Sequence, residues 1–300
     1  MSATYQPKVD LKALIGIDVH VHPQGPMRDP ATMNERQREM AAASQRYFRL
    51  DPNQKPATLD TTAEYYREQK LMCAMFGTDP QATNPNRRGV TNDEVLEAAA
   101  RHPDVIIPFA GLDPHRGRAA ADDATALIAK GVRGFKFHPP GQGFVPNEKQ
   151  FYDLWGAIEA GRGPALFHTG QSGMGAGARG GGGMRIKFGN PLPLDDLAVD
   201  FPDLPIVMAH PSWPWQEEAL AIAAHKPLAF IDLSGWSPKY FPPQLIQYAN
   251  TLIKDKVLFG TDYPLIKPER WIKDFNEAAF KDEVRPLIMK ENAARLFGFS

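Results

Sequence analysis

The chain has 300 residues, with 34 Lys and Arg against 35 Asp and Glu, 43% hydrophobic residues and 23% charged ones. That balance fits one soluble domain over residues 1–300, and a net charge of −1 offers no field to draw nucleic acid or an anionic membrane. Cys73 is the only cysteine, which excludes an intrachain disulfide and a thiolate metal site, and no apolar run is long enough to span a bilayer, so a cytoplasmic location is expected.

In chain order, the first apolar run covers residues 14–21 and ends in Asp18-Val19-His20-Val21-His22. A polar insertion, 23–60, follows, with helical character over 34–49; it is long for a simple connection and suits a cover or functional segment. A second apolar run spans 71–76. The spacing then predicts a helix over 92–101, with Thr91 as N-cap and Glu94 completing a capping box. The third run covers 105–112, before an Ala-rich helix over 118–130 that stops at Gly131. Runs at 134–138 and 165–169 flank a helix over 148–160. Residues 170–190 form a glycine-rich loop with four consecutive glycines and Arg179, Arg185 and Lys187 close by. Runs at 206–210, 229–233 and 257–261 close the series, separated by helices over 215–225 and 243–254, the latter opening on a proline.

Short continuous apolar runs fit strands covered on both faces, as in a parallel sheet. Eight of them alternating with helices predict an α/β fold, a (β/α)₈ TIM barrel with an inserted helical segment after strand 1 and a Gly-rich loop after strand 5. A doubly wound open sheet would carry a glycine-rich turn after its first strand, where this chain has His-Val-His.

Residues two apart in a strand share a face, so His20 and His22 point the same way. Imidazole suits zinc and similar divalent ions. His168, His210 and Asp262 close or directly follow the fifth, sixth and eighth runs. In a barrel those strand ends meet on the one face where active sites lie. His138 ends the fourth run and suits a substrate contact. Trp213 and Trp236 follow strands six and seven, where they could wall an aromatic substrate.

This arrangement resembles the metal-site pattern of the amidohydrolase superfamily. The wording is similar to its amidohydrolase-related branch, which includes aminocarboxymuconate-semialdehyde decarboxylase, resorcylate-type decarboxylases and pyrone-dicarboxylate lactonases. Phe137-His138-Pro139-Pro140, Ala209-His210-Pro211, Phe259-Gly260-Thr261-Asp262-Tyr263-Pro264 and Glu291-Asn292-Ala293-Ala294-Arg295-Leu296-Phe297 carry the likeness. Within the branch, residues 213–218 and 234–240 resemble proteins labelled 4-hydroxyphenyl-β-ketoacyl-CoA hydrolases.

The resemblance implies one divalent ion, zinc first and manganese second, held by His20, His22, His168 and Asp262. His210 would be a further ligand or an acid–base group. A bridging lysine of binuclear members would fall at Lys136, which we read as a structural or substrate-contacting cation. Asp262 and His210 are the implied catalytic pair, Asp262 moving the proton and His210 hydrogen-bonding the substrate carbonyl. Hydrolysis of a β-ketoacyl thioester or related acid by metal-activated water is the leading expectation. Decarboxylation of an aromatic or muconate-type acid is the alternative, and a metal-free binding protein is the rival from another class. Arg179 and Arg185 are expected to clasp the acidic part of a small acidic or acyl-CoA substrate. A homodimer or higher homo-oligomer is the expected assembly.

Overall fold

A computed structural model describes residues 4–25, 32–51, 55–82 and 89–299. Parts of the predicted insertion, 26–31 and 52–54, lie outside the described residues. Eight strands run in chain order: β1 (Gly16–Val21), β2 (Leu71–Phe76), β3 (Ile106–Gly111), β4 (Gly134–Phe137), β5 (Ala165–His168), β6 (Ile206–Ala209), β7 (Ala229–Asp232) and β8 (Val257–Leu258). Each pairs in parallel with the next. The ring is closed by backbone bonds from Val19 N to Phe259 O (3.0 Å), Asp262 N to His20 O (3.0 Å) and His22 N to Tyr263 O (2.9 Å). The predicted TIM barrel is therefore the observed fold.

Helices lie between and around the strands: α1 (Glu35–Phe48), α2 (Leu59–Glu68), α3 (Asn92–Arg101), α4 (Arg118–Ala129), α5 (Pro139–Gln142), α6 (Tyr152–Ala160), α7 (Pro193–Asp200), α8 (Gln216–His225), α9 (Pro243–Ala249), α10 (Pro268–Glu277) and α11 (Asn292–Phe297). The Thr91–Glu94 capping box forms as the spacing predicts, and Asn34 with Gln37 makes a second one at the start of α1. The predicted helix over 243–254 stops at Ala249. Its cap, Asn250, turns to the segment after α10, donating to Ala279 O (2.9 Å) and accepting from Lys281 N (2.9 Å). Strand β8 ends at Leu258, three residues early: Phe259 N turns to Ile288 O (2.9 Å) and Thr261 N to Asp18 Oδ1 (3.0 Å).

Two apolar layers hold the barrel. Ile17, Val19, Phe76, Phe109, Leu166 and Val207 belong to the inner layer, which Ala293, Ala294 and Phe297 of α11 join. Val21, Cys73, Phe135, Phe167 and Trp271 belong to the outer layer between strands and helices. Strand β1 changes faces on the way: its ladder to β2 shifts register between Asp18 and Val21. Val19 packs inward, Val21 outward, and the His20 ring meets Phe76 of the inner layer at 4.9 Å. A bulge of this kind re-aims side chains next to a site. It leaves His20 in the barrel mouth and gives Asp18 to Tyr66 of α2, whose hydroxyl donates to Asp18 Oδ2 (2.8 Å). Among the described residues no helix is long and apolar enough to cross a membrane.

Candidate metal centre and active site

His20 Nε2 and His22 Nε2 lie 3.5 and 3.0 Å from the same atom, Asp262 Oδ1. One donor atom from each of these three residues falls within 4.8 Å of the others. They line a cavity of about 560 Å³ at the mouth, with Lys136, His138, His168 and His210 around it. Phe48 and Tyr47, from α1, line the same cavity. The segment inserted after β1 thus covers the mouth, as its length suggested.

The tautomers follow from the partners. His20 Nδ1 lies 2.8 Å from the buried carboxylate of Asp232, so Nδ1–H donates there and the Nε2 lone pair is left toward Asp262 and Lys136. His210 Nδ1 lies 3.1 Å from the carbonyl of Ser234, which can only accept, so this nitrogen also carries the proton. Its Nε2 then accepts from His168 Nδ1–H at 3.0 Å. His168 Nε2 is left as a lone pair, and it is a buried atom with no partner among the described residues. An unprotonated, unpartnered imidazole nitrogen beside two His–Asp contacts is the chemistry a divalent ion requires.

Burial holds His20 and His168 well below the ordinary histidine range and lowers His210 too, which favours the neutral ring in all three. Burial opposes ionisation of Asp262, but the hydrogen bond from His22 and the neighbouring imidazoles outweigh it and hold the carboxyl well below its usual range. Burial also pulls Lys136 down to about 8; its Nζ donates to His20 Nε2 at 3.2 Å. His210 and Asp262 sit at φ 72° and 63°, left-handed values rare outside glycine, so the chain bends sharply as it leaves the barrel at both residues. Gly235 sits at φ +74°, and a Cβ there would lie 2.7 Å from His210 Nδ1, so only glycine fits this approach.

The predicted ligands are brought together unevenly. His20, His22 and Asp262 converge, while His168 sits one ring further round, against His210 (ring centroids 4.7 Å) and stacked on His138 (4.1 Å). A second group of donors, His20, His210 and Asp232, is internally bonded: Ser234 Oγ lies 3.0 Å from both Nδ1 atoms. His138 lines the cavity, and its ring bonds Gly141 N (3.0 Å) and Ser172 Oγ (3.3 Å). Trp236 lines it too; Trp213, 49% exposed, does not. Ser212, at φ 59°, turns the chain just before Trp213. Arg179 and Arg185 are exposed and line neither this cavity nor its smaller neighbour of about 320 Å³ beside β2 and β3. The backbone N–H of Arg179 donates to Glu39 Oε1 (2.7 Å), pinning the glycine loop to α1.

Sequence reasoning passed over Asp232, Ser234 and Asp18. Asp232 had a signal: a lone carboxylate closing an apolar run, as His168 closes its own. Asp18 stood in the quoted motif, but its partners, Thr261 and Tyr66, are distant in sequence.

A closed eight-stranded barrel with histidines and an aspartate at its strand ends presents them on the face where TIM-barrel active sites lie. An amidohydrolase family model matches residues 17–299, and the chain belongs to that family. No curated protein sequence matches it. Solved structures similar to it include an uncharacterised TIM-barrel protein of Bordetella bronchiseptica (21% identity, TM-score 0.70, covering 94% of this chain and 98% of that one). Another is 5-carboxyvanillate decarboxylase of Novosphingobium aromaticivorans, complexed with manganese and 4-hydroxy-3-methoxy-5-nitrobenzoic acid (14%, TM-score 0.67, 100% of both chains). A third is 2,6-dihydroxybenzoate decarboxylase from Rhizobium (18%, TM-score 0.64, 98% and 99%). The finer likeness to 4-hydroxyphenyl-β-ketoacyl-CoA hydrolases finds no support in these comparisons.

Proposed function

We propose that the chain is a metal-dependent decarboxylase of an aromatic hydroxy-acid, with His20, His22 and Asp262 holding the ion and His168 as fourth donor. The observation that carries this reading is the convergence of two imidazoles on Asp262 Oδ1 in a cavity walled by Phe48, Tyr47 and Trp236. Full-length structural likeness to aromatic-acid decarboxylases, one of them with manganese, supports it and puts decarboxylation ahead of thioester hydrolysis. The manganese in that relative places manganese beside zinc as the metal to test first.

A divalent ion held by His20, His22, Asp262 and His168 would supply positive charge that favours an anionic substrate. Lys136 and His138 stand beside it to orient the substrate anion. Asp262, ionised at rest, takes the proton of the substrate hydroxyl. It then returns that proton to the ring carbon bearing the carboxylate. The C–C bond breaks, its electron pair goes back to the ring, and CO₂ leaves. The product leaves as a phenolate, which takes its hydroxyl proton back from water, so one proton is consumed per turnover.

The test is a panel of hydroxybenzoates and β-ketoacyl thioesters, offered to protein loaded with manganese or zinc. Release of CO₂ with one new ring hydrogen supports the reading. Release of a free thiol with no CO₂ replaces it with the hydrolase.

A further inference from the structure

A third cavity, of about 590 Å³, lies between α1, α5 and the glycine-rich loop. Among the described residues its lining includes Arg36 and Arg185 and no carboxylate. Among the described residues neither arginine makes a salt bridge. Arg36 Nη2 donates to Gly182 O (2.9 Å), one of its five N–H donors. The approach depends on the loop's glycines: a Cβ on Gly183, at φ +80°, would lie 2.5 Å from that Nη2. Met40 and Met184 supply apolar surface beside the two cations.

Met174 joins the cavities. It lines this one, the metal-bearing one and the smaller lobe beside β2 and β3. Its backbone N–H is held by Ser172 Oγ (3.1 Å), which also meets His138 Nε2 (3.3 Å). An unbranched thioether with three rotatable bonds can swing aside where a branched side chain would block the junction.

We propose that the Arg36–Arg185 cavity is a substrate subsite for a second anionic group, remote from the reacting end and reached past Met174. The substrate is then an elongated aromatic acid with two anions, one at the metal centre and one, a carboxylate or a phosphate, between the two guanidinium groups. Guanidinium forks suit both anions through paired, charge-assisted hydrogen bonds. The glycine loop thus binds the acidic tail through Arg185, and the partner arginine is Arg36, from the insertion after β1, in place of Arg179.

The proposal rests on the aromatic-acid reading above, and binding separates the two. Calorimetry on the metal-loaded full chain would compare benzene, naphthalene and biphenyl dicarboxylates with their monocarboxylates, and carboxyaryl phosphates with the same monocarboxylates. In the wild type at least one dianion should bind about ten- to a hundredfold tighter than its monoanion, the scale of charge-assisted bonds, and the advantage should shrink with added salt. The series that shows it names the anion. Arg36→Ala and Arg185→Ala should each erase most of the advantage and leave monoanion binding unchanged; Arg179→Ala should keep it. Equal binding of every dianion and its monoanion, or an advantage that survives Arg36→Ala with Arg185→Ala, overturns the subsite. A preference that depends on Arg36 in a protein that releases no CO₂ from any benzoate keeps the subsite and removes the decarboxylase reading.

Discussion

Asp232 Oδ2 accepts a 2.8 Å hydrogen bond from His20 Nδ1, joining the ends of β7 and β1 across the barrel mouth. The bond fixes which nitrogen of His20 carries the proton, and so presents Nε2 as a lone pair. Such outer carboxylates commonly set metal affinity by ten- to a hundredfold. Asp232→Ala should weaken metal binding by about that factor, read by competition with a chromophoric chelator, with the far-ultraviolet dichroism of a folded barrel retained. Wild-type metal affinity in the variant would show that Ser234 Oγ alone, 3.0 Å from the same nitrogen, orients the ring.

Asp18 straps β1 to the segment after β8. It accepts from Thr261 N (3.0 Å), Thr261 Oγ1 (2.5 Å), Tyr66 OH (2.8 Å) and His20 N (3.0 Å), fully buried. Burial pushes its carboxyl up to about 7 against those four bonds. Asp18→Ala would orphan several buried donors at once, at about 1–3 kcal/mol each. We expect a loss of at least about 3 kcal/mol in denaturant unfolding, with Asp18→Asn falling between because one acceptor oxygen remains. A loss below about 1 kcal/mol for Asp18→Ala would mean that water replaces the strap.

Much of this was legible in the residues because it depends on local pattern. The alternation of short apolar runs with helices reports two-sided burial of each strand, and β2 runs over 71–76 as predicted. That His20, His22, His168, His210 and Asp262 line one cavity could be read from the sequence because strand ends in a closed barrel share one mouth. What escaped was set by contacts remote in sequence. The bulge in β1, which decides that His20 faces inward, leaves no compositional mark in Asp-Val-His-Val-His. Arg36 lies in a polar insertion where a surface arginine is unremarked, and only the packing of α1 against the glycine loop brings it to Arg185. Trp213 follows a strand end, as Trp236 does, but the left-handed Ser212 lies just before it and it is left half exposed.

Metal removal should be visible in stability as well as activity. An ion present at about 100 times its Kd stabilises the folded chain by about 2.7 kcal/mol. Stripping it with a chelator should lower Tm by several degrees, and adding back manganese or zinc should restore it. His22→Ala should lose both the bound ion and the Tm response, since His22 contributes to the converging group and little to the core: its side chain is 45% exposed. A chelator-insensitive Tm in wild-type protein, with less than a tenth of an ion per chain by elemental analysis, would favour the metal-free binding protein.

His210 and Asp262 were expected to share the chemistry, and the hydrogen-bond network divides them. His210 donates Nδ1–H to Ser234 O and accepts at Nε2 from His168, so neither nitrogen offers a proton to a substrate oxygen in this arrangement. What His210 does is fix the ring of His168 with its unpartnered Nε2 as a lone pair. In the proposed mechanism it positions the fourth metal donor, whereas Asp262 is the group assigned to move the proton. His210→Ala should therefore weaken metal binding about ten- to a hundredfold, as an outer-shell partner does, and kcat at saturating metal should fall less than tenfold. His168→Ala should show the same pattern more strongly. Asp262→Asn should be inactive at any metal concentration, because an amide cannot take up and return the proton. Metal titrations of kcat on the three variants separate the roles. A His210→Ala enzyme with normal metal affinity and a kcat down by about a hundredfold, the loss expected for one hydrogen-bond donor to a developing charge, would return His210 to the substrate.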